Sequence, residues 1–224
     1  MIVVTAGTHD YRAIIEAQAR KCREFGYYRL VYDLGGLELG ERFETRPGDL
    51  TPQLHGDTLP AATFKAALVS RAMQSAGNGE LVCWLDGDCL PLLDFQPEIG
   101  SADIAVTLRP QPEIGQSGIP ALDYLNSGVV WIRNSVHGRA FLESWGKLSL
   151  SMNTDQGALN QCIGLPHKTP VWAEAMYSAV SVPSGGRAMI LDAAEWNCWS
   201  LPPRKGVRIL HFKKGIRNAA RNYL

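Results

Sequence analysis

Nowhere in these 224 residues does an apolar run approach the ~20 residues that a membrane-crossing helix requires. The opening run Ile2-Val3-Val4 has no basic segment ahead of it, so it reads as a buried strand and not a targeting peptide. Cysteine is sparse: Cys22, Cys83, Cys89, Cys162 and Cys198 are odd in number and lack CxxC spacing, which argues against a zinc framework or a disulfide network. A reducing compartment follows, and a cytoplasmic protein is expected. Net charge is zero, so no global field directs the chain to nucleic acid or membrane. Internal repeats, low-complexity tracts and linkers are also missing, so residues 1–224 are expected to form one domain, long enough to bury a full core. Acidic residues are absent from one place in particular. Leu201 to Leu224 contains Arg204, Lys205, Arg208, Lys213, Lys214, Arg217 and Arg221 and no carboxylate side chain. That end suits an anion, whether diphosphate, phosphorylated acceptor, lipid headgroup or nucleic acid, or else forms a solvated terminal face.

What is present alternates strand and helix. Ile2 to Ala6 reads as a strand and Tyr11 to Phe25 as a helix, with Ile14, Ile15, Ala17, Ala19 and Cys22 on its apolar side. Tyr28 to Tyr32 is the next strand, and this opening indicates an α/β protein with a mixed, mainly parallel sheet flanked by helices. Gly40 to Pro60 reads as an irregular excursion, and Thr58 and Pro60 begin a helix running to about Ser75. Further strands are expected at Leu81–Leu85, Leu90–Leu93, Ile104–Leu108, Asn126–Ile132, Ala179–Val182, Met189–Leu191 and Val207–Phe212. A long Pro- and Gly-rich loop covers Arg109 to Asp123, the length of an active-site cover. A helix spans about His137 to Leu148, and Thr154 caps a short one after it.

The segment Leu81-Val82-Cys83-Trp84-Leu85-Asp86-Gly87-Asp88 carries the chemistry. A buried strand ending in Asp-Gly-Asp delivers two carboxylates to the edge of the sheet where open α/β folds bind ligands. If the backbone stays extended, residues two apart point the same way and share one target. Paired carboxylates repel unless a cation lies between them, and Mg²⁺ or Mn²⁺ fits such oxygen donors. The plainer alternative is a polar turn closing a strand.

Four segments recur in a recognisable order: the first strand with Tyr11, the WLDGD segment, NSGVVWI followed by TDQGALNQ, and His211-Phe212-Lys213-Lys214-Gly215. As an ordered set they resemble the nucleotide-sugar-dependent glycosyltransferases of the GT-A fold, closest to family 8, the group of glycogenin and the galactosyl- and glucosyltransferases of lipopolysaccharide assembly. The resemblance implies that Asp86, Asp88 and His211 hold Mn²⁺ (or Mg²⁺) against the diphosphate of a nucleotide sugar such as UDP-glucose or UDP-galactose, with Gly87 between the two carboxylates at the donor. It implies that Thr5, Ala6 and Tyr11 receive the base, and that Lys65 approaches the donor phosphate or sugar. Asn126 and Ser127 would line the sugar, and Lys213, Lys214 and Gly215 would approach the diphosphate. Asp155 and Gln156 would flank the anomeric carbon as catalytic residues. The run Glu195-Trp196-Asn197-Cys198-Trp199 resembles the aromatic-Asn element before the family's final strand, in which Trp196 or Trp199 would offer a flat face to a sugar, although tryptophan more often fills a core.

The resemblance therefore implies metal-dependent hexosyl transfer to a hydroxyl acceptor, with retention of configuration. An inverting version would use Asp155 as base. Two alternatives stay open: a sugar nucleotidyltransferase, against which the Gly7-Thr8-His9-Asp10 segment argues, and a non-catalytic nucleotide-sugar or nucleic-acid binding module. The acceptor is unassigned. At this length the C-terminal membrane-binding extension of some relatives is expected to be missing, and a soluble acceptor is expected with it. The basic end suits a polyanion, such as a glycan, lipopolysaccharide core or modified DNA.

Overall fold

The computed structural model describes residues 1–35, 37, 64–109, 124–164, 176–213 and 217–224. Strand β1 (Ile2–Thr8), helix α1 (Arg12–Glu24) and strand β2 (Tyr28–Gly35) form the expected opening unit, with β1 and β2 parallel from Ile2 opposite Tyr28. A single 3₁₀ turn at His9–Tyr11 precedes α1. The helix buries Ile14, Ile15, Gln18, Ala19 and Cys22, which share one face at three- and four-residue spacing. It gives way at Gly26, whose φ of +72° suits a residue without a side chain.

Strand β3 (Leu81–Leu85) is buried throughout and lies parallel to β1, with Ile2 opposite Val82. The sheet is completed by β5 (Ile104–Leu108), β6 (Leu125–Arg133), β7 (Ala179–Ser181) and β8 (Arg187–Asp192), in the order β2-β1-β3-β6-β5-β8-β7. Strand β6 runs antiparallel to both neighbours, and β5 pairs parallel with β8. This reversal matters for the site, because it sets the first residues of β6 beside the last residues of β3 (Leu85 opposite Val129). A second small sheet pairs β4 (Cys89–Pro91) antiparallel with β9 (Ile209–His211).

One face of the large sheet is covered by α2 (Lys65–Met73), α3 (Val136–Met152) and α4 (Asp155–Ile163), where Val69, Phe141, Trp145 and Leu159 pack on Val4, Val82 and Ile132. The opposite face carries Val3, Cys83, Leu85, Trp131 and Trp196, the last from the short helix α5 (Ala193–Trp196). Burying large apolar side chains on both faces is the main drive to this layered arrangement. Ser135 caps α3 by accepting from Gly138 N, and Thr154 caps α4 as its position suggests, accepting from Gly157 N.

Several boundaries differ from the sequence reading. Helix α3 continues one turn past Leu148, because only Asn153, in a left-handed conformation (φ +53°), stops it. The last strand is Ile209–His211 and not Val207–Phe212, since a turn at Gly206 (φ +93°) bonds Val207 N back to Arg204 O. The strand expected at Leu90–Leu93 is shorter and starts at Cys89. The Gly40–Pro60 excursion, the Thr58 cap and Pro60 helix start, and the loop from Pro110 to Asp123 lie outside the described residues. Among the described residues no helix is long and apolar enough to cross a membrane.

Candidate active site

The Asp-Gly-Asp segment is a turn, not an extended continuation of β3. The strand stops at Leu85, and Cys89 N bonds back to Asp86 O at 3.0 Å. The argument from alternating side chains therefore does not hold here, and the two carboxylates have different partners. Asp88 Oδ1 lies 3.2 Å from His211 Nε2. Asp86 Oδ1 accepts from Trp84 Nε1 at 2.7 Å and meets Lys65 Nζ at 2.8 Å. Gly87 sits where any side chain would collide, since an added Cβ would come within 2.8 Å of Ala6 O.

His211 reaches this place because β9 returns alongside β4, with Cys89 opposite His211 and Phe212 N bonded to Asp88 O at 2.8 Å. Its ring lies against the backbone of Gly128, where a Cβ would stand 2.6 Å from His211 Cε1. Asn197 Nδ2 donates to Thr107 Oγ1 at 3.1 Å, which turns Asn197 Oδ1 toward His211 Nδ1 at 2.8 Å. With Nδ1 donating to Asn197, Nε2 faces Asp88 either with its lone pair or, in a doubly protonated ring, with a second N–H. Two electron-rich atoms at that separation call for a cation or a proton between them.

A second cluster adjoins it. Lys65 Nζ pairs with Asp155 Oδ2 at 2.9 Å as well as with Asp86, and stands 3.3 Å from both Ser127 O and Oγ. Ser127 Oγ donates to Asp155 Oδ2 at 2.6 Å. Burial alone would raise the Asp155 carboxyl, but the Lys65 ammonium and the Ser127 hydroxyl outweigh it and hold the group below its ordinary value. For Lys65, burial works against the ammonium, and the Asp86 and Asp155 carboxylates overcome it and push its pKa up. Trp145 Nε1 donates to Asp155 O at 2.8 Å and so fixes the first turn of α4. Asn126 is buried and turns its side chain back onto Gly128 N at 2.7 Å. Gln156 is half-buried beside Asp155.

The structure thus brings Lys65, Asp86, Asp88, Asn126, Ser127, Asp155 and His211 to one edge of the sheet. Ala6 in β1 and Tyr11 in the 3₁₀ turn after it are half-buried, whereas Thr5 is fully buried with its hydroxyl inside the protein. Lys213 Nζ stacks over the Trp199 ring at 3.7 Å from its centroid, so that face is already covered. Trp196 offers no open face either, since it packs edge-on to Trp131 with Arg208 over its ring. It is a core residue. Lys214 and Gly215 lie outside the described residues. Part of the basic C-terminal run is neutralised internally: Arg208 pairs with Glu195 at 2.9 Å and Arg204 with Asp192 at 3.4 Å.

Two polar residues have roles that the sequence reading did not assign. Asn197 is the one that orients His211. The other is Gln18, fully buried on α1, whose Nε2 donates to Asp86 O at 2.8 Å and Cys89 O at 2.6 Å, bracing both ends of the carboxylate turn. Its Oε1 accepts from Arg29 Nη2 at 3.1 Å, which sets the amide orientation. Arg29 itself has no carboxylate partner among the described residues, and burial lowers its pKa to about 10.

No protein-family model matches the chain, and neither does any curated protein sequence. Solved structures do. A glycosyltransferase involved in glycosylating the major capsid of PBCV-1 superposes with a TM-score of 0.56 at 16% identity, covering 100% of this chain and 98% of that one. The galactosyltransferase LgtC, solved with donor and acceptor sugar analogs, gives 0.55 at 14% identity over 95% of this chain and 87% of its own. The glycosyltransferase GlyE of Streptococcus pneumoniae TIGR4 gives 0.54 at 14% identity, with 99% of this chain spanning 59% of that longer one. The chain therefore has the GT-A fold, shared along nearly its whole length with glycosyltransferases.

Proposed function

We propose that the chain is a metal-dependent glycosyltransferase that moves a hexose from a UDP-sugar to a hydroxyl acceptor with retention of configuration. The observation that carries this reading is the Asp88–His211 contact of 3.2 Å, with the second histidine nitrogen committed to Asn197, at the sheet edge where Asp86 also ends. Oxygen and imidazole donors of this kind fit Mn²⁺ or Mg²⁺. Asp88 and His211 would hold the ion, with Asp86 beside them. When bound, such an ion supplies Lewis-acid stabilisation of the departing diphosphate.

The chain's own residues supply position and charge. Lys65 would keep Asp155 ionised and hold Asp86 and Asp155 correctly spaced next to the donor. Ser127 and Asn126 would define the wall against which the sugar lies. Asp155 is a poor general base, because its carboxyl is held below the usual range and Lys65 and Ser127 share one of its oxygens. That supports retention over an inverting role for Asp155. Gln156, at the next position, would steady the sugar, since an amide is a weak nucleophile. Lys213, with Lys214 and Gly215, would meet the diphosphate, and Ala6 and Tyr11 the base.

The test is a panel of nucleotide sugars with Mn²⁺, followed by thermal stabilisation and by transfer or slow hydrolysis of the donor. UDP-hexoses are expected to stabilise the protein only when the metal is present. The anomeric configuration of the product, read by NMR, decides retention; a β-linked product from an α-linked donor would reject it. Donor binding without turnover across the panel would favour a binding module.

A further inference from the structure

Cys89 and His211 stand opposite each other across the β4–β9 pair. Directly opposed residues project to the same side of a sheet. Both side chains approach Gly128: the imidazole lies over its Cα, and Cys89 Sγ is 3.9 Å from its carbonyl oxygen. Asp88 joins them from the preceding residue. A thiol sulfur, an imidazole nitrogen and a carboxylate oxygen, all from buried residues, thereby lie within 4.8 Å of one another. Among the described residues this is the one such group, and it does not include Asp86, whose Oδ1 is turned to Lys65 and Trp84.

We infer that Cys89 is a third donor at the cation position, so that the site takes borderline, sulfur-accepting ions such as Zn²⁺ and Co²⁺ ahead of Mn²⁺ or Mg²⁺. The inference rests on the proposed cation at Asp88 and His211. Mixed oxygen, nitrogen and sulfur donors with one position left over are a zinc-type set, and hard ions gain little from sulfur. The general affinity order already places Co²⁺ and Zn²⁺ above Mn²⁺, and a thiolate widens that gap. Binding replaces the Cys89 S–H bond with a sulfur–metal bond and releases the proton to solvent, and no electron is transferred. Asn197 holds the imidazole ready, as the partners of metal-bound histidines do. Zn²⁺ would then compete with Mn²⁺ for the position and inhibit transfer.

Titrating the full chain with Co²⁺ tests this without any assay of activity. The expected result is a near-ultraviolet sulfur-to-cobalt charge-transfer band that saturates with one equivalent of metal. In Cys89→Val, which keeps an apolar side chain in the core, the band disappears and the ratio of Co²⁺ to Mn²⁺ affinity falls roughly tenfold or more. The wild-type spectrum decides the matter even if that variant folds poorly. Cobalt bound at Asp88 and His211 without the band would overturn the thiol's role and leave the proposed function standing. Failure of both Co²⁺ and Mn²⁺ to bind would remove the proposed metal site, and this inference with it.

Discussion

Lys65 Nζ lies 2.9 Å from Asp155 Oδ2, a buried contact that ties α2 to the start of α4 across the end of β3. The same ammonium serves Asp86 at 2.8 Å, so one cation offsets two carboxylates. Removing it leaves both without a counter-charge in surroundings where each side chain is mostly hidden from water. We expect Lys65→Met to lose about 3–5 kcal/mol near neutral pH, measured by chemical denaturation. The sign of the pH dependence follows from Asp155. A carboxyl held low in the folded state contributes stability that is complete above its ordinary value of 3.8 and is lost as pH falls through the folded value. The variant's unpaired carboxylates instead take up protons on acidification, so its deficit shrinks toward about pH 4. A deficit that stays constant with pH would contradict the pairing.

Gln18 makes a different prediction, because it holds the turn and not the charges. Gln18→Leu fills the same space but deprives the carbonyls of Asp86 and Cys89 of their shared donor. The cost in stability is about 1–3 kcal/mol. If the turn spaces the cation ligands, Mn²⁺ affinity also falls, by roughly tenfold as for other residues that orient a metal site. Electron paramagnetic resonance of free Mn²⁺ reads this directly. Unchanged affinity in a destabilised protein would reduce Gln18 to a structural brace.

Asn197→Leu separates orientation of the imidazole from folding. The change leaves His211 Nδ1 without its acceptor at 2.8 Å and frees Thr107 Oγ1. Metal affinity is expected to drop about 10–100-fold while the circular dichroism spectrum stays native. Asn197→Asp keeps an acceptor in place and should recover most of the affinity. Equal losses in both variants would mean that the histidine is held by its strand and not by this side chain.

Strands β1, β2 and β3 were legible because they are short apolar runs that meet Gly7, Asp33 and Asp86, and the end of β3 announced the site. His211 could be placed beside the carboxylates only through family resemblance, since its partner strand β4 lies more than a hundred residues earlier. Gln18 carried a readable signal that was passed over: it sits between Ile14, Ile15 and Cys22 at helical spacing, a polar residue on the buried face. Asn197 lies in the Glu195–Trp199 run that resembles the family's aromatic-Asn element, but its role as the partner of His211 depends on the return of β9 and could not be read from the run itself. The Asp-Gly-Asp turn shows the limit of a periodicity argument. Two residues apart means the same face only while the backbone stays extended, and the glycine between them was the hint that it does not.

Gly128 and Gly146 give a paired test of how closely the site is packed. A Cβ at Gly146 on α3 would meet Ala66 Cβ at 3.6 Å, an ordinary contact. Gly146→Ala should therefore stabilise the helix by up to about 1 kcal/mol and leave ligand binding alone. At Gly128 the same methyl would stand 2.6 Å from His211 Cε1 and 2.9 Å from Asn126 Oδ1. Neither neighbour is free to retreat: the imidazole is bonded to Asn197 and faces Asp88, and the Asn126 side chain is bonded to Gly128 N. Gly128→Ala is expected to cost about 1–3 kcal/mol and to displace the imidazole, so that Mn²⁺ affinity falls together with the melting temperature. Measuring both quantities in both variants checks the geometry, since only a histidine packed against the β6 backbone makes the two glycines respond in opposite directions.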